Sequence, residues 1–297
     1  MRQLKIGDMR IDRLVEIEAL AFDKNWLFAN VTDEVIAENR CWLDHRYIEA
    51  ETGRFILSHH SYLVRTPRWT ALVDTCCGNH KPRPRVPAWD RLNTPYLENL
   101  RALGVAPEQV DYVMCTHLHV DHVGWNTQMI DGRWVPTFPK ARYLMGETEY
   151  AHWDGLHRAK PRQPVNHGSF EDSVLPVVAA GLADLVATDH VLFDDLGASL
   201  RFAPAPGHTV GNMQIHLRGD REHAVMSGDV VHHPIQCAAP WLSNAADFDP
   251  AQALATRLDL LRALADTPTY LLTGHFPAPT AGRVVSHRDA FRFRFED

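Results

Sequence analysis

Short apolar runs separated by turn residues divide the chain into strands in its first half and strands mixed with helices in its second. Ile6 to Ile17 reads as an opening pair of strands, and Asp33 to His45 as a helix starting near a Thr/Asp cap. Phe55 to Val64 and Trp69 to Val73 are β-rich runs around Thr66-Pro67-Arg68, which predicts a hairpin. Pro82, Pro84 and Pro87 should keep the loop from Cys76 to Asp90 extended and non-helical. Thr94 then caps a predicted helix with Pro95 at its first position, Leu97, Leu100 and Leu103 on one face, and Gly104 just past its end.

Val113 to Cys115 reads as a short strand, followed by others at Arg142 to Met145, Leu200 to Ala203, Met213 to Leu217, Ala224 to Met226 and Tyr270 to Leu272. Asp249, Pro250 and Gln252 predict a helix N-terminus with a capping box, and Leu254, Leu258, Leu261 and Leu264 its apolar stripe. The stretch from Lys160 to Asp195 has no clear period and reads as a lid, an inserted helix or a subunit contact. This order suggests an α/β fold of two packed sheets with helices outside.

At 297 residues, one large domain is the expectation, with residues 1–50 as an N-terminal extension packed on it. The 45% hydrophobic and 23% charged composition is that of a globular chain with a sizeable core. The net charge of −7 and the lack of any dense Lys/Arg block argue against a nucleic-acid partner. The first twenty residues alternate apolar and charged positions, and no run approaches the length of a bilayer span, so a cytoplasmic protein without membrane contact is expected. Five cysteines, odd in number and without C-x-x-C spacing, read as small buried residues.

Histidine is the outlier, with 18 in the chain. Thr116-His117-Leu118-His119-Val120-Asp121-His122 places three histidines and an aspartate directly after a strand. Under the period-two alternation His117 and His119 point the same way and can share a cation, while Asp121 and His122 can reach a second. Imidazole and carboxylate suit zinc, and also manganese, iron or cobalt. Pro206-Gly207-His208-Thr209, Ser227-Gly228-Asp229 and Thr273-Gly274-His275 repeat the grammar of a strand followed by a polar ligand in a glycine-containing turn.

With these motifs, followed in order from Asp74 to His275, the chain resembles the metallo-β-lactamase superfamily over roughly residues 55–280. The resemblance implies a four-layer αβ/βα sandwich of two mixed β-sheets with outer helices. It further implies that His117, His119 and His208 bind one metal, that Asp121, His122 and His275 bind a second, and that Asp229 bridges them. Asp74, in Leu72-Val73-Asp74-Thr75, matches the early aspartate that supports the ligands from behind. Two divalent cations, zinc first, would depress the pKa of a shared water toward ~7 and supply a bridging hydroxide. Asp121 would carry a proton to the leaving group.

Within the superfamily, Leu72-Val73-Asp74-Thr75, Pro107-Glu108-Gln109-Val110-Asp111 and Gly207-His208-Thr209 are most similar to the acyl-homoserine lactonase and methyl-parathion-hydrolase branch. Lactonases of that branch carry a tyrosine three residues after the bridging aspartate, where this chain has His232 followed by His233. His232, before His233, is therefore expected to act as an acid or to orient substrate. Trp26, Phe28, Trp89, Trp125 and Trp241 are candidates for an apolar wall, Trp125 first among them, and Arg83 and Arg85 either steer an anionic substrate or form a solvated face. His59 and His60 match no motif.

The implied function is hydrolysis of small carboxylic esters or lactones, with phosphotriesterase or arylesterase activity as the alternative and an iron oxidoreductase on the same fold behind both. Residues 276–297 are too few for a flavin domain or for glutathione-binding helices. A purely structural metal module would close its shell with four ligands, often thiolates. β-Lactam hydrolysis is disfavoured by the Asp121 and Asp229 ligands. The branch also suggests a homodimer.

Overall fold

The computed structural model describes residues 3–195 and 198–296, which form two large mixed sheets with helices and a small hairpin. The first sheet runs, in hydrogen-bonded order, Leu4–Ile6, Met9–Phe22, Phe55–Arg65, Thr70–Val73, Tyr112–Met114, Arg142–Gly146 and Ala183–Val186. The second runs Val191–Asp195, Ala198–Pro204, Met213–Arg218, His223–Met226, Tyr270–Leu272, Gly282–His287 and Ala290–Phe295. The chain divides into two compact units, one of Gln3–Ile17 with His59–His190, the other built chiefly of Glu18–Ser58 with Val191–Asp297. Among the described residues no helix is long and apolar enough to cross a membrane.

In the first unit, Leu63, Leu72, Val113, Tyr143 and Met145 on the sheet pack with Tyr96 and Leu100 of the helix Tyr96–Ala102 and with Phe170, Val174 and Val177. Each such buried side chain contributes about 1.5–3 kcal/mol. Thr70–Val73, Tyr112–Met114 and Arg142–Gly146 pair in parallel, so their C-terminal ends lie at one edge. In the second unit, Val225 and Leu271 on the sheet pack against Leu260, Leu261 and Leu264 of the helix Pro250–Leu264. His223–Met226 and Tyr270–Leu272 are likewise parallel.

Several local expectations needed correction. The early helix spans only Asp33–Asn39, although Thr32 does cap it. Thr94 caps nothing: its hydroxyl bonds Glu16 Oε1 and Asn79 Oδ1, and Pro95 takes the N-cap place. Asp249 caps its helix by accepting from the N–H groups of Ala251 and Gln252, but the Gln252 amide bonds Thr256 rather than reaching back. The buried stripe of that helix is Ala253, Arg257, Leu260, Leu261 and Leu264, leaving Leu254 and Leu258 half-buried.

The unreadable stretch resolves into a π-helical turn Phe170–Val174, a short helix Leu175–Ala179 and the strands Ala183–Val186 and Val191–Asp195, each an edge strand of its sheet. Buried charge anchors its first part. Arg83 grips Asp172 through Nη1 and Nη2, both at 2.8 Å, and Lys81 Nζ approaches the same carboxylate at 3.3 Å while lying over the Trp134 ring. Arg83 is thus neither a steering group nor a solvated face, being 1% exposed. Arg85 is exposed.

Candidate metal centre

In the first unit the ligand-type residues follow one strand. Tyr112–Met114 ends early, so His117, His119, Asp121 and His122 occupy a turn rather than a continuing β alternation. Their rings nevertheless gather, with centroids 4.7 Å apart for His117 and His119 and 4.1 Å for His117 and His122. The turn is laced to the neighbouring strand end by Thr75 N–H to His122 O, Trp125 N–H to Thr75 O and Gly124 N–H to Cys76 O, at 2.7–2.8 Å. A Cβ on Gly124 would lie 1.9 Å from the Cys77 carbonyl, so only glycine permits this approach.

Asp74 sits in the left-handed region at φ 55°. From there its carboxylate accepts from the Thr116 N–H and hydroxyl, both at 2.8 Å, and lies 2.9 Å from His122 Nδ1. Such strain in a non-glycine residue persists where its surroundings over-determine it. Buried Glu149 accepts from the Leu118 N–H and from Trp153 Nε1, whose ring stands 5.8 Å from that of His119. His59, on the strand Phe55–Arg65, places Nε2 3.5 Å from Asp121 Oδ2. No spacing motif carries Glu149 or His59, though a histidine pair inside a β-rich run is a weak signal for the latter.

In the second unit the groups come from three strand ends. His208 follows Ala198–Pro204, Asp229 lies in the turn after His223–Met226, and His275 follows Tyr270–Leu272. The Asp229 carboxylate lies 3.2 Å from His275 Nε2, 3.4 Å from His208 Nε2 and 3.2 Å from His232 Nε2. His208, Asp229 and His232 offer ligand atoms all within 4.8 Å of one another. Gly207, at φ 127°, is pressed so closely on the helix Pro250–Leu264 that a Cβ would stand 2.2 Å from the Ala253 nitrogen.

The Nδ1 atoms show a common arrangement in both units. His122 Nδ1 meets Asp74, His208 Nδ1 meets Asp247 at 2.9 Å, His275 Nδ1 meets the Ser58 carbonyl at 3.1 Å, and His117 Nδ1 meets the Thr116 hydroxyl at 3.1 Å. Histidines that ligate metals characteristically have the second ring nitrogen held this way. Buried imidazoles so oriented, with carboxylates among them, are a donor set that fits divalent cations. Asp247 was not anticipated. It is held in turn by the Ser243 hydroxyl and the Asn244 N–H, with Arg257 Nη2 3.9 Å away. Arg257, 1% exposed, donates to the carbonyls of Val230, Pro240 and Leu242 at 2.7–3.0 Å.

The two loop histidines differ. His232 is buried beside Asp229, and burial holds its pKa below the usual histidine range. His233 packs against Phe55 and faces the Tyr47 carbonyl at 2.9 Å, and burial brings its pKa to about 3. It is a packing residue.

The aromatic wall was misjudged at its leading member. Trp125 is buried, stacked on Tyr96 at 5.2 Å, and donates from Nε1 to Glu16 at 2.6 Å. Burial raises the Glu16 pKa against the pull of its donors. Phe28 is core, edge-on to Phe55. Trp89 stands 5.6 Å from the His59 ring, while Trp26 and Trp241 are exposed. The cysteines Cys76, Cys77, Cys115 and Cys237 are buried free thiols, and Cys41 is exposed.

Residues 55–275 match the family model of the metallo-beta-lactamase superfamily, and the chain belongs to that family. Among named relatives it is similar to the N-acyl homoserine lactonase AiiB of Agrobacterium fabrum, 28% identical over 148 residues, or 46% of this chain and 47% of that protein. The AiiB of Rhizobium rhizogenes is 27% identical over the same extent. The chain thus spans about half the length of the curated relatives it matches. Of solved structures, the hydrolase AbOPH of the beta-lactamase superfamily aligns with a TM-score of 0.78 and 25% identity over 99% of this chain and 98% of that one. The dizinc quorum-quenching lactonase AidC aligns with a TM-score of 0.76 and 19% identity over 100% and 97%, a likeness of fold. The two mixed sheets agree with the expected fold class.

Proposed function

We propose that the protein is a metal-dependent hydrolase that opens lactones or cleaves small carboxylic esters. In this reading His117, His119 and His208 hold one divalent cation, Asp121, His122 and His275 a second, and Asp229 is shared. Support comes from membership of the family, from the ordered motifs, and above all from the recurrent seating of histidine Nδ1 atoms on fixed acceptors. When bound, such cations supply Lewis acidity and lower the pKa of water. The protein's own part is to fix the ligands. Asp74 orients His122, Asp247 orients His208, and His59 beside Asp121 restricts that carboxylate.

His232 takes the place of the tyrosine of related lactonases, and its role is to orient the substrate by hydrogen bonding. A second reading, as a further metal ligand, is favoured by its nearness to His208 and Asp229. His232→Phe separates the two: retained metal with lost turnover marks orientation, and lost metal marks ligation. Full turnover with metal retained excludes both.

Lactonase relatives favour a lactone substrate, and phosphotriester cleavage is the alternative, because an activated water and a Lewis acid serve either reacting centre. The test is elemental analysis of the purified protein together with turnover of a lactone series, aryl esters, phosphotriesters and β-lactams. We expect about two metals per chain and the highest kcat/KM on a lactone or carboxylic ester. Full activity in chelated, metal-free protein would overturn the reading, and zinc-free, iron-bearing coloured protein would redirect it to the oxidoreductases.

A further inference from the structure

The second unit carries a cavity of about 350 Å³ on a face of its sheet, with none of the metal-type residues in its lining. The strands Ala198–Pro204, Met213–Arg218 and His223–Met226 line it with Ser199, Arg201, His216, Arg218 and His223, and Asp194 stands on its wall. The register explains why they share one face. Arg201 lies opposite His216, while Arg218 lies opposite both Ser199 and His223. Two steps along a strand return to the same face, which aligns His216 with Arg218.

Two guanidinium groups and two imidazoles thus share this face, Arg201 opposite His216 and Arg218 opposite His223. Among the described residues neither Arg201 nor Arg218 has an ion-pair partner, and the Arg218 contact is from Nε to His223 Nδ1 at 3.3 Å. His216 Nε2 is buried with no hydrogen-bond partner among the described residues. Burial, then the Arg201 and Arg218 charges, hold the His216 pKa below the usual range. Asp194, the one carboxylate on the wall among the described residues, offsets only part of this positive field, as does the C-terminal end of the helix Pro250–Leu264 at Ala263 and Leu264.

We propose that this cavity is a binding site for a small multivalent oxyanion, phosphate or a phosphomonoester, held by Arg201 and Arg218 with His216 as a further donor. Guanidinium forks match phosphate oxygens in geometry as well as charge. The volume leaves room for an organic group on the phosphate.

The site is tested on the metal-loaded protein by following the His216 imidazole resonances by NMR, assigned with His216→Gln, during titration with inorganic phosphate against sodium chloride at equal ionic strength. Phosphate binding should give a saturable shift and raise the His216 pKa, because an adjacent anion favours the charged ring. Arg201→Gln and Arg218→Gln, at exposed positions, should each weaken binding about tenfold or more. Since the resonances report only on this cavity, phosphate captured at the metals does not imitate the result, and turnover of the variants should be unchanged. Glycerol 3-phosphate binding more tightly than phosphate supports an ester ligand, and equal binding supports the free ion. Absence of a saturable shift, an equal shift with chloride, or unchanged affinity in the doubly substituted protein would overturn the proposal.

Discussion

The two regions that carry the candidate metal ligands gather similar side chains by different routes. In the first unit one turn of six residues carries three histidines and an aspartate, and the neighbouring segment Asp74–Cys76, with Asp74 and Cys76 both at positive φ, ties that turn to the next strand end. In the second unit each group arrives on its own strand, and order depends on Asp247, Arg257 and the close seat of Gly207. A local cluster is insensitive to distant packing, whereas a dispersed one inherits every error in the elements that carry it.

The largest effect should come from Asp229→Ala, which removes the carboxylate that three imidazoles face. Bound metal and turnover should fall together, as read by elemental analysis and kinetics. Next, His232→Phe should lower turnover about 10²–10⁴-fold if the side chain assists the reacting substrate, while His233→Phe should reduce only stability. The supports can then be compared directly: Asp74→Asn and Asp247→Asn should each cost about 10–100-fold in metal affinity. Equal losses would show that the two regions are equally well braced.

Gly207→Ala should destabilise the fold by about 1–3 kcal/mol in denaturant titrations, through backbone strain and the clash with Ala253. Gly104→Ala, which meets no neighbour, isolates the strain alone. The smallest effect is a pH dependence. Burial lowers the Lys81 pKa to about 8, below its value in the unfolded chain, so between about 8 and 10.4 the unfolded state binds more protons. Over that window stability should rise with pH in the wild type relative to Lys81→Met, and a parallel pair of curves would refute the shift.

The contiguous turn was the legible part of the site because its residues are neighbours in sequence. His208, Asp229 and His275 were each marked by a strand and a glycine-containing turn, but only the resemblance grouped them into one site, since no local rule links residues so far apart. Asp247 was invisible: it lies 39 residues from the histidine it holds. Arg83 and Trp125 misled for a related reason, as a charged residue in a proline-rich loop and a tryptophan beside a histidine cluster suggest a surface mouth. Their buried partners, Asp172 and Glu16, are known only once the chain is folded. Among the elements, strongly β-rich runs were recovered, whereas Ala183–Val186 and Val191–Asp195 were missed because edge strands need no long apolar run.

Arg257 carries one more implication. A single guanidinium holds the carbonyls of Val230, Pro240 and Leu242, so the whole span from Val230 to Leu242 should open and close as one cooperative element rather than fray residue by residue. Amide exchange across that span would then share one opening free energy, and wear at any point along it would be felt at once beside Asp229.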